Sequence, residues 1–403
     1  MSDFHQTGVV ATLHRLVRSN LDQLEQELMV YTQVNPIALV LPCLYSELEG
    51  EAMPRIVTEL RKVGYLREIV VALGRASADE FTKAREFFQV LPQPLRVIWN
   101  DGPRLQKLYA LLEEHGLSAG VDGKGRSAWM AYGYVLARGK ASVIALHDCD
   151  ILSYDRELLA RLCYPVATPR LTFEFCKGYY SRVTDRMHGR AARLLVTPLI
   201  RALQRILGYQ AFLVYLDSFR YPLAGEFAMQ ADLARVTRIP GDWGLEVGVL
   251  AEVYRNCSVG RICQADLADV YEHKHQVLSA DDPSRGLMRM AVDITKSLIR
   301  TLAEEGIPVS ESALSPLPVT YLRCARDLMV RYQEDAFINS LYYDPHEEGS
   351  AVEAFAEAVR MACRAFLEDP GGYFLIPNWN RVLAAIPDFF NQLLEAVQED
   401  NNQ

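Results

Sequence analysis

Apolar and polar positions change period several times along this chain, and the changes mark out its elements. From residue 8 to residue 33 the apolar side chains Val9, Leu13, Val17, Leu21, Leu24 and Leu28 recur at helical spacing, which predicts a leading amphipathic helix. The pattern then breaks into short continuous runs. Residues 36–42 (Pro-Ile-Ala-Leu-Val-Leu-Pro) are apolar and closed by proline, as expected of a strand buried on both faces. Similar runs at 68–73, 95–99 and 141–147 are separated by helix-compatible stretches such as 52–63, 78–88 and 125–137. This alternation predicts an α/β layer with a mainly parallel sheet. In such sheets ligands gather where loops converge at the carboxyl ends of the strands, which nominates the loops 42–47, 74–77, 100–104 and 148–150. Beyond about residue 225 strands become scarce, 285–304, 320–332, 352–367 and 379–397 read as helices, and 399–403 as a frayed tail.

Length and composition narrow the class. A chain of 403 residues exceeds one ordinary compact core, so two domains, or one large domain with an appendage, are expected. The net charge of -9, without any cluster of five Lys/Arg, argues against a sequence-independent grip on nucleic-acid phosphates. Eight cysteines without a CxxC pair, and an N-terminus lacking a basic-then-apolar pattern, point to reduced thiols and a cytoplasmic protein. The apolar runs are far shorter than the roughly 20 residues that cross a bilayer, so no membrane association is expected.

The strongest local chemistry is His147-Asp148-Cys149-Asp150, where an apolar strand delivers two carboxylates to the crevice edge. A hard divalent ion bridging them to a diphosphate would supply the missing counter-charge; a turn with a helix cap is the competing reading. Asp122-Gly123-Lys124-Gly125-Arg126-Ser127 sets a lysine among glycines ahead of a helix, which suits phosphate, with a solvated turn as alternative. Gly116-Leu-Ser-Ala-Gly120 matches GxSxG, but a helix rather than a strand precedes Ser118, which argues against a serine hydrolase. In Glu272-His273-Lys274-His275 a neutral imidazole is able to complete a metal site begun by the aspartates. Gly225-Glu226 and Asp242-Trp243-Gly244-Leu245-Glu246 suit a sugar-facing wall or helix caps. Met187-His188-Gly189-Arg190-Ala191-Ala192-Arg193, with Arg182 and Arg186 upstream, offers guanidiniums to carboxylate or phosphate, or forms a basic helix face.

In order and spacing, PCLYSELEG, VVALGRAS, VIWNDGPR, DGKGRSAWMA, ALHDCDIL, HGRAARLLVTPL, YPLAGEFAM, DWGLEVGVL and VYEHKHQ resemble the glucosyl-3-phosphoglycerate synthases, retaining GT-A glycosyltransferases of family 81, over residues 35–300. The resemblance implies a GT-A (Rossmann-like) nucleotide-sugar-binding domain with a mainly helical C-terminal region. The expected division is an N-terminal helix at 1–34, the GT-A domain at 35–225, and an acceptor-binding and helical region at 226–403. It implies a donor loop bearing Pro42, Leu44 and Glu47, Arg75 at the nucleobase end, and Lys124 near the diphosphate. Asp150 and His273 would hold Mg or Mn, with Asp148 facing the ribose and a further candidate ligand. Leu223, Ala224 and Gly225 would meet the donor sugar, and Gly189, Arg190 and Ala192 the acceptor, with Glu246 lining both pockets. Glu246, Asp150 and Lys124 are the expected catalytic residues, and a homodimer the expected assembly.

The implied reaction is transfer of glucose from UDP- or GDP-glucose to 3-phosphoglycerate, a step toward the compatible solute glucosylglycerate. Alternatives are transfer of mannose, transfer to glycerate or another small acid, and a non-catalytic nucleotide-sugar-binding regulator. A sugar nucleotidyltransferase is disfavoured because residues 42–47 lack glycine. Three departures from the family pattern bear on specificity: Gly74-Arg75 replaces an Asp that often holds the base, Ala192 a frequent hydroxyl residue, and Tyr45-Ser46-Glu47 an Asn with two acids.

Overall fold

The short apolar runs pair side by side. A computed structural model describes residues 6, 8–17, 20–240, 244–272, 286–372 and 375–402. Its strands are β1 (Ala11–Leu13), β2 (Ile37–Leu44), β3 (Leu66–Gly74), β4 (Leu95–Trp99), β5 (Val143–Leu146), β6 (Phe175–Tyr180), β7 (Phe227–Gln230), β8 (Ile239–Pro240), β9 (Ile262–Ala268) and β10 (Leu375–Ile376). Eight of them form one sheet in the order β1-β9-β6-β7-β5-β2-β3-β4, while β8 and β10 make a separate small ladder. Only β7 runs antiparallel to its neighbours in the large sheet.

Period-two alternation explains why these strands read as wholly apolar. Ile37, Leu39, Leu41 and Cys43 of β2 enter the core on one face, and Ala38 and Val40 the core on the other. Both faces are roofed by helices, which selects apolar side chains on either side of β2. The chain runs β2, β3, β4 outward and then returns to β5 on the opposite side of β2. Strand order therefore reverses between β2 and β5, where the following loops diverge and leave a crevice. The helix Lys124–Arg138 starts there and is buried along most of its length. Trp129 stacks on Trp379 at 4.1 Å and donates to the Pro377 carbonyl; a Cβ on Gly133 would stand 2.1 Å from the Trp379 ring. The C-terminal segment thus clamps the helix that carries Lys124.

Several elements depart from the sequence expectation. The leading helix occupies only Leu21–Tyr31; ahead of it, β1 pairs with β9 at the sheet edge, with Val10 and Thr12 buried and Val9 and Val17 exposed. A three-residue strand offers too short an alternation to outvote a chance helical spacing. The sheet also draws strands from each expected segment, since β1 precedes residue 35 and β7 and β9 follow residue 225. The expected helix 379–397 is two helices, Trp379–Ala385 and Phe389–Asn402, because Pro387 interrupts it. Nor are residues 399–402 frayed: Asp400 is 1% exposed, Arg104 bridges Glu399 and Asp400, and the Asn401 side chain pairs with both N and O of Val97; Gln403 lies outside the described residues. No helix among the described residues is long and apolar enough to cross a membrane.

Candidate active site

The crevice at the β2/β5 reversal opens into a cleft of about 960 Å³. Three of the four nominated loops line it; Asn100 instead turns inward, accepting from Tyr109 and donating to Leu73 O, so the loop 100–104 stays off the cleft. β5 ends at Leu146, and Asp148 and Asp150 follow at the cleft edge. Lys124, the first residue of its helix, reaches across to them: its Nζ lies 2.6 Å from Asp148 Oδ1 and 3.2 Å from Glu246 Oε1. Glu246 stands in the first turn of the helix Leu245–Asn256. Burial alone would lower the Lys124 pKa, but Asp148 and Glu246 outweigh it and hold the ammonium above the ordinary lysine value.

Negative charge is crowded behind this pair. Burial first, then Asp148 and Glu47, push the Asp150 carboxyl up to about 7. Burial likewise raises Glu47, although the Leu44 amide donating to its Oε2 at 3.1 Å offsets part of the effect. Glu226 is fully buried, and accepts from Tyr180 at 2.7 Å and Tyr271 at 2.5 Å, two rings stacked 3.5 Å apart. A Cβ on Gly225 would stand 2.3 Å from Asp148 Oδ2, so only glycine leaves that carboxylate its place. Lys177, fully buried on β6, has no hydrogen-bond partner for Nζ among the described residues; burial draws it down to about 8, against the opposing pull of Glu246 and Glu226. Crowded carboxylates with one of them destabilised as an anion, and a glycine cradle against Asp148, fit a divalent cation at Asp148 and Asp150.

Along the same cleft lie Arg182, Arg186, His188, Gly189 and Arg190. Gly189 adopts φ 76°, which turns the chain from β-like backbone into the π-helix Ala191–Val196. Arg182 donates to the Tyr221 hydroxyl at 2.9 Å. Arg190 reaches Glu347 at 2.7 Å and Glu348 at 3.2 Å, and Arg193 binds Glu348 at 2.8 Å.

The structure gathers most sequence-nominated residues around this cleft: Pro42, Leu44, Glu47, Arg75, Lys124, Asp148, Asp150, Gly189, Arg190, Leu223 and Glu246 all line it. Three do not. Ala192 is 5% exposed and turns into the core, leaving Ala191 on the wall; Ala224 is fully buried while Leu223 faces the cleft; and Gly225 is buried behind Asp148 rather than on the wall. Asp242, Trp243, His273 and His275 lie outside the described residues. Glu272, just before His273, is tied to the segment after Asp150 through Leu152 N donating to Glu272 O at 2.8 Å and Glu272 N to Ser153 Oγ at 3.0 Å. Ser118 sits in a loop after a helix and donates to Glu113 at 2.6 Å, which removes the hydrolase reading.

Sequence reasoning missed Tyr221, Arg289, Met290 and Glu347, which also line the cleft. Met290 and Ile294 share a helical stripe with Leu287 that reads as ordinary core packing, and nothing local marks Glu347 as a cleft residue.

No protein-family model matches the chain. Over 402 residues, the full length of both proteins, it is 50% identical to the glucosyl-3-phosphoglycerate synthase of Persephonella marina. To that of Methanococcoides burtonii it is 40% identical over 403 residues, 99% of this chain and 98% of the other. In fold it is similar to crystal structures of the Mycobacterium tuberculosis glucosyl-3-phosphoglycerate synthase. The complex with Mn2+, UDP and glucosyl-3-phosphoglycerate gives a TM-score of 0.54 at 20% identity, covering 74% of this chain and 89% of that one. The complex with Mn2+, UDP-glucose and glycerol 3-phosphate gives 0.54 at 20% identity, covering 75% and 90%.

Proposed function

The chain belongs to the glucosyl-3-phosphoglycerate synthases and is a glycosyltransferase, and from that premise we propose that it moves glucose, with retention, from a nucleoside-diphosphate glucose to 3-phosphoglycerate. The observation that carries this reading is the juxtaposition in one cleft of a lysine held between Asp148 and Glu246 with the arginines 182, 186 and 190. The first cluster suits a diphosphate and its metal, the second a small acid bearing carboxylate and phosphate. The relatives' name states the same product class, and the mycobacterial structures contain UDP or UDP-glucose, Mn2+ or Mg2+, and phosphoglyceric acid or glycerol 3-phosphate.

In this mechanism Asp150, with Asp148 and His273, would hold Mg2+ or Mn2+, whose charge would offset that of the departing diphosphate. Lys124 adds a fixed positive charge at the same oxygens, and Asp148 and Glu246 keep its ammonium aimed there. Gly225 leaves room for Asp148, and Leu223 packs beside the sugar. Arg190 and Arg182 orient the acceptor so that its hydroxyl attacks from the face the diphosphate leaves. The leaving phosphate oxygen takes the acceptor proton. Glu246 spends its carboxylate on Lys124, so it positions rather than attacks, and a glycosyl adduct on Glu246 in a trapped intermediate would refute that assignment.

The test is product formation from UDP- and GDP-linked glucose and mannose with 3-phosphoglycerate or glycerate, with and without Mg2+ or Mn2+, and with Asp150→Ala as control. Metal-dependent glucosyl-3-phosphoglycerate that disappears in Asp150→Ala is the expected outcome, and the better donor fixes the nucleobase. Product formed equally without metal, or retained in Asp150→Ala, would remove the metal from the mechanism.

A further inference from the structure

The cleft floor carries two thiols that glycosyl transfer does not use. Cys43 lies near the end of β2 and Cys149 between the two aspartates after β5, and lateral pairing of those strands brings them together. Cys43 Sγ donates to the Leu44 carbonyl at 3.3 Å. Glu47, one turn beyond Cys43, joins them: one ligand atom from each of Cys43, Glu47 and Cys149 lies within 4.8 Å of the other two. Both cysteines are nearly sealed from bulk solvent, at 3% and 2% exposure, yet all three residues border the cleft, which gives an ion a way in.

We propose that Cys43, Cys149 and Glu47 form a binding site for a thiophilic divalent ion of the Zn2+ class, separate from the hard-ion site at Asp150, and that filling it switches transfer off. Two sulfurs and one carboxylate oxygen form a donor set that selects Zn2+ over Mg2+ or Mn2+, which favour all-oxygen ligands. With bonds of roughly 2.3 Å to sulfur and 2.1 Å to oxygen, a tetrahedral ion holds its ligands roughly 3.5–3.8 Å apart, so side-chain rotation of about an ångström closes the present arrangement. On binding, each thiol releases its proton to solvent as its sulfur bonds the ion, Glu47 supplies a carboxylate oxygen, and water fills the fourth position.

The inhibitory consequence follows from what these residues hold now. Glu47 accepts from the Leu44 amide at 3.1 Å, so drawing its carboxylate to an ion pulls on the loop beside it. Cys149 is covalently between Asp148 and Asp150, so a fixed sulfur re-aims both carboxylates, and Asp148 is the one that holds Lys124.

Titration of reduced, metal-stripped full-length protein with Co2+ tests the site directly, because a cobalt–thiolate bond gives an intense near-ultraviolet charge-transfer absorption that oxygen ligands do not. About one equivalent should develop that absorption in wild type and in Asp150→Ala alike, added Zn2+ should bleach it, and Cys43→Ser and Cys149→Ser should each abolish it with unchanged circular dichroism. Absence of the absorption in wild type, or its survival in Cys43→Ser, overturns the site whatever becomes of the transfer assay; its loss in Asp150→Ala overturns the separation from the hard-ion site. In Mg2+-supported transfer, the Zn2+ concentration for half inhibition should rise at least about tenfold in Cys43→Ser, measured against that variant's own uninhibited rate. Equal sensitivity overturns the inhibitory role.

Discussion

At the aspartate end of the cleft, charged groups sit on a strand end and on two helix starts and touch one another directly: Asp148, Lys124 and Glu246 form one chain of contacts. At the arginine end, Arg190 and Arg193 stand at the start of a π-helix and are held by Glu347 and Glu348, with Glu348 lying 158 residues beyond Arg190. The first end is assembled where a strand end meets two helix starts, with its charges already in mutual contact. The second keeps its cations paired to carboxylates of the protein itself, and Glu347, one of those carboxylates, is half exposed in the cleft. Under the proposed mechanism an incoming acid would exchange one carboxylate for another at Arg190, whereas the aspartate end would gain a cation. Preorganised charge suits stabilising a transition state, and exchangeable charge suits binding and releasing a small acid.

Removing charge from the aspartate end should produce the largest effect. Lys124→Ala is expected to lower kcat by about 10²–10³-fold, the cost of one preorganised charge-stabilising group, with the acceptor KM little changed. Initial rates at saturating donor decide it, and a loss confined to acceptor KM would erase the distinction between the two ends. Gly225→Ala should follow, at about a hundredfold in kcat/KM, because its Cβ would displace an Asp148 carboxylate only 2.3 Å away. A variant of normal activity would mean that Asp148 has freedom to move.

The arginine end should respond differently. Glu348→Ala leaves Arg193 without its carboxylate, and Glu348 is 5% exposed. Breaking such a pair is expected to cost about 3 kcal/mol of stability, measured by denaturant unfolding, and to raise acceptor KM more than it lowers kcat. The subtlest effect is on pH dependence. A carboxyl raised to about 7 in the folded state disfavours folding once it ionises, so Asp150 costs metal-free protein stability progressively as pH rises from about 4 through about 7. Asp150→Asn should therefore be more stable than wild type at about pH 8, with the difference fading near pH 4, as melting temperatures without divalent ions would reveal. The opposite sign would mean that the aspartate end is internally neutralised without a metal.

The two ends also differed in how far they could be read from the chain. Asp148, Asp150 and Lys124 follow a buried strand or open a helix, so local pattern both found them and aimed them. Local charge marked the stretch 187–193 and the family resemblance picked out Gly189, Arg190 and Ala192 within it, but the stretch runs into a π-helix on which Ala191 rather than Ala192 borders the cleft. Glu347 and Glu348 open a long helix that reads as surface, and only tertiary packing brings them to the arginines. The strands β2 to β5 were legible because both their faces are buried. β1 was not, being a three-residue edge strand whose outer backbone is met by the Gln6 side-chain amide.

The amide of Asn401 lies against β4, accepting from Val97 N and donating to Val97 O. It imitates one rung of a neighbouring strand at the end of the sheet, where a row of open backbone groups would otherwise recruit strands from other molecules. The last helix thus caps part of an open strand edge as well as packing against the sheet. A chain shortened by a few residues, or one carrying a bulky fusion that pries the helix tip away, would keep its cleft and still tend to precipitate on storage.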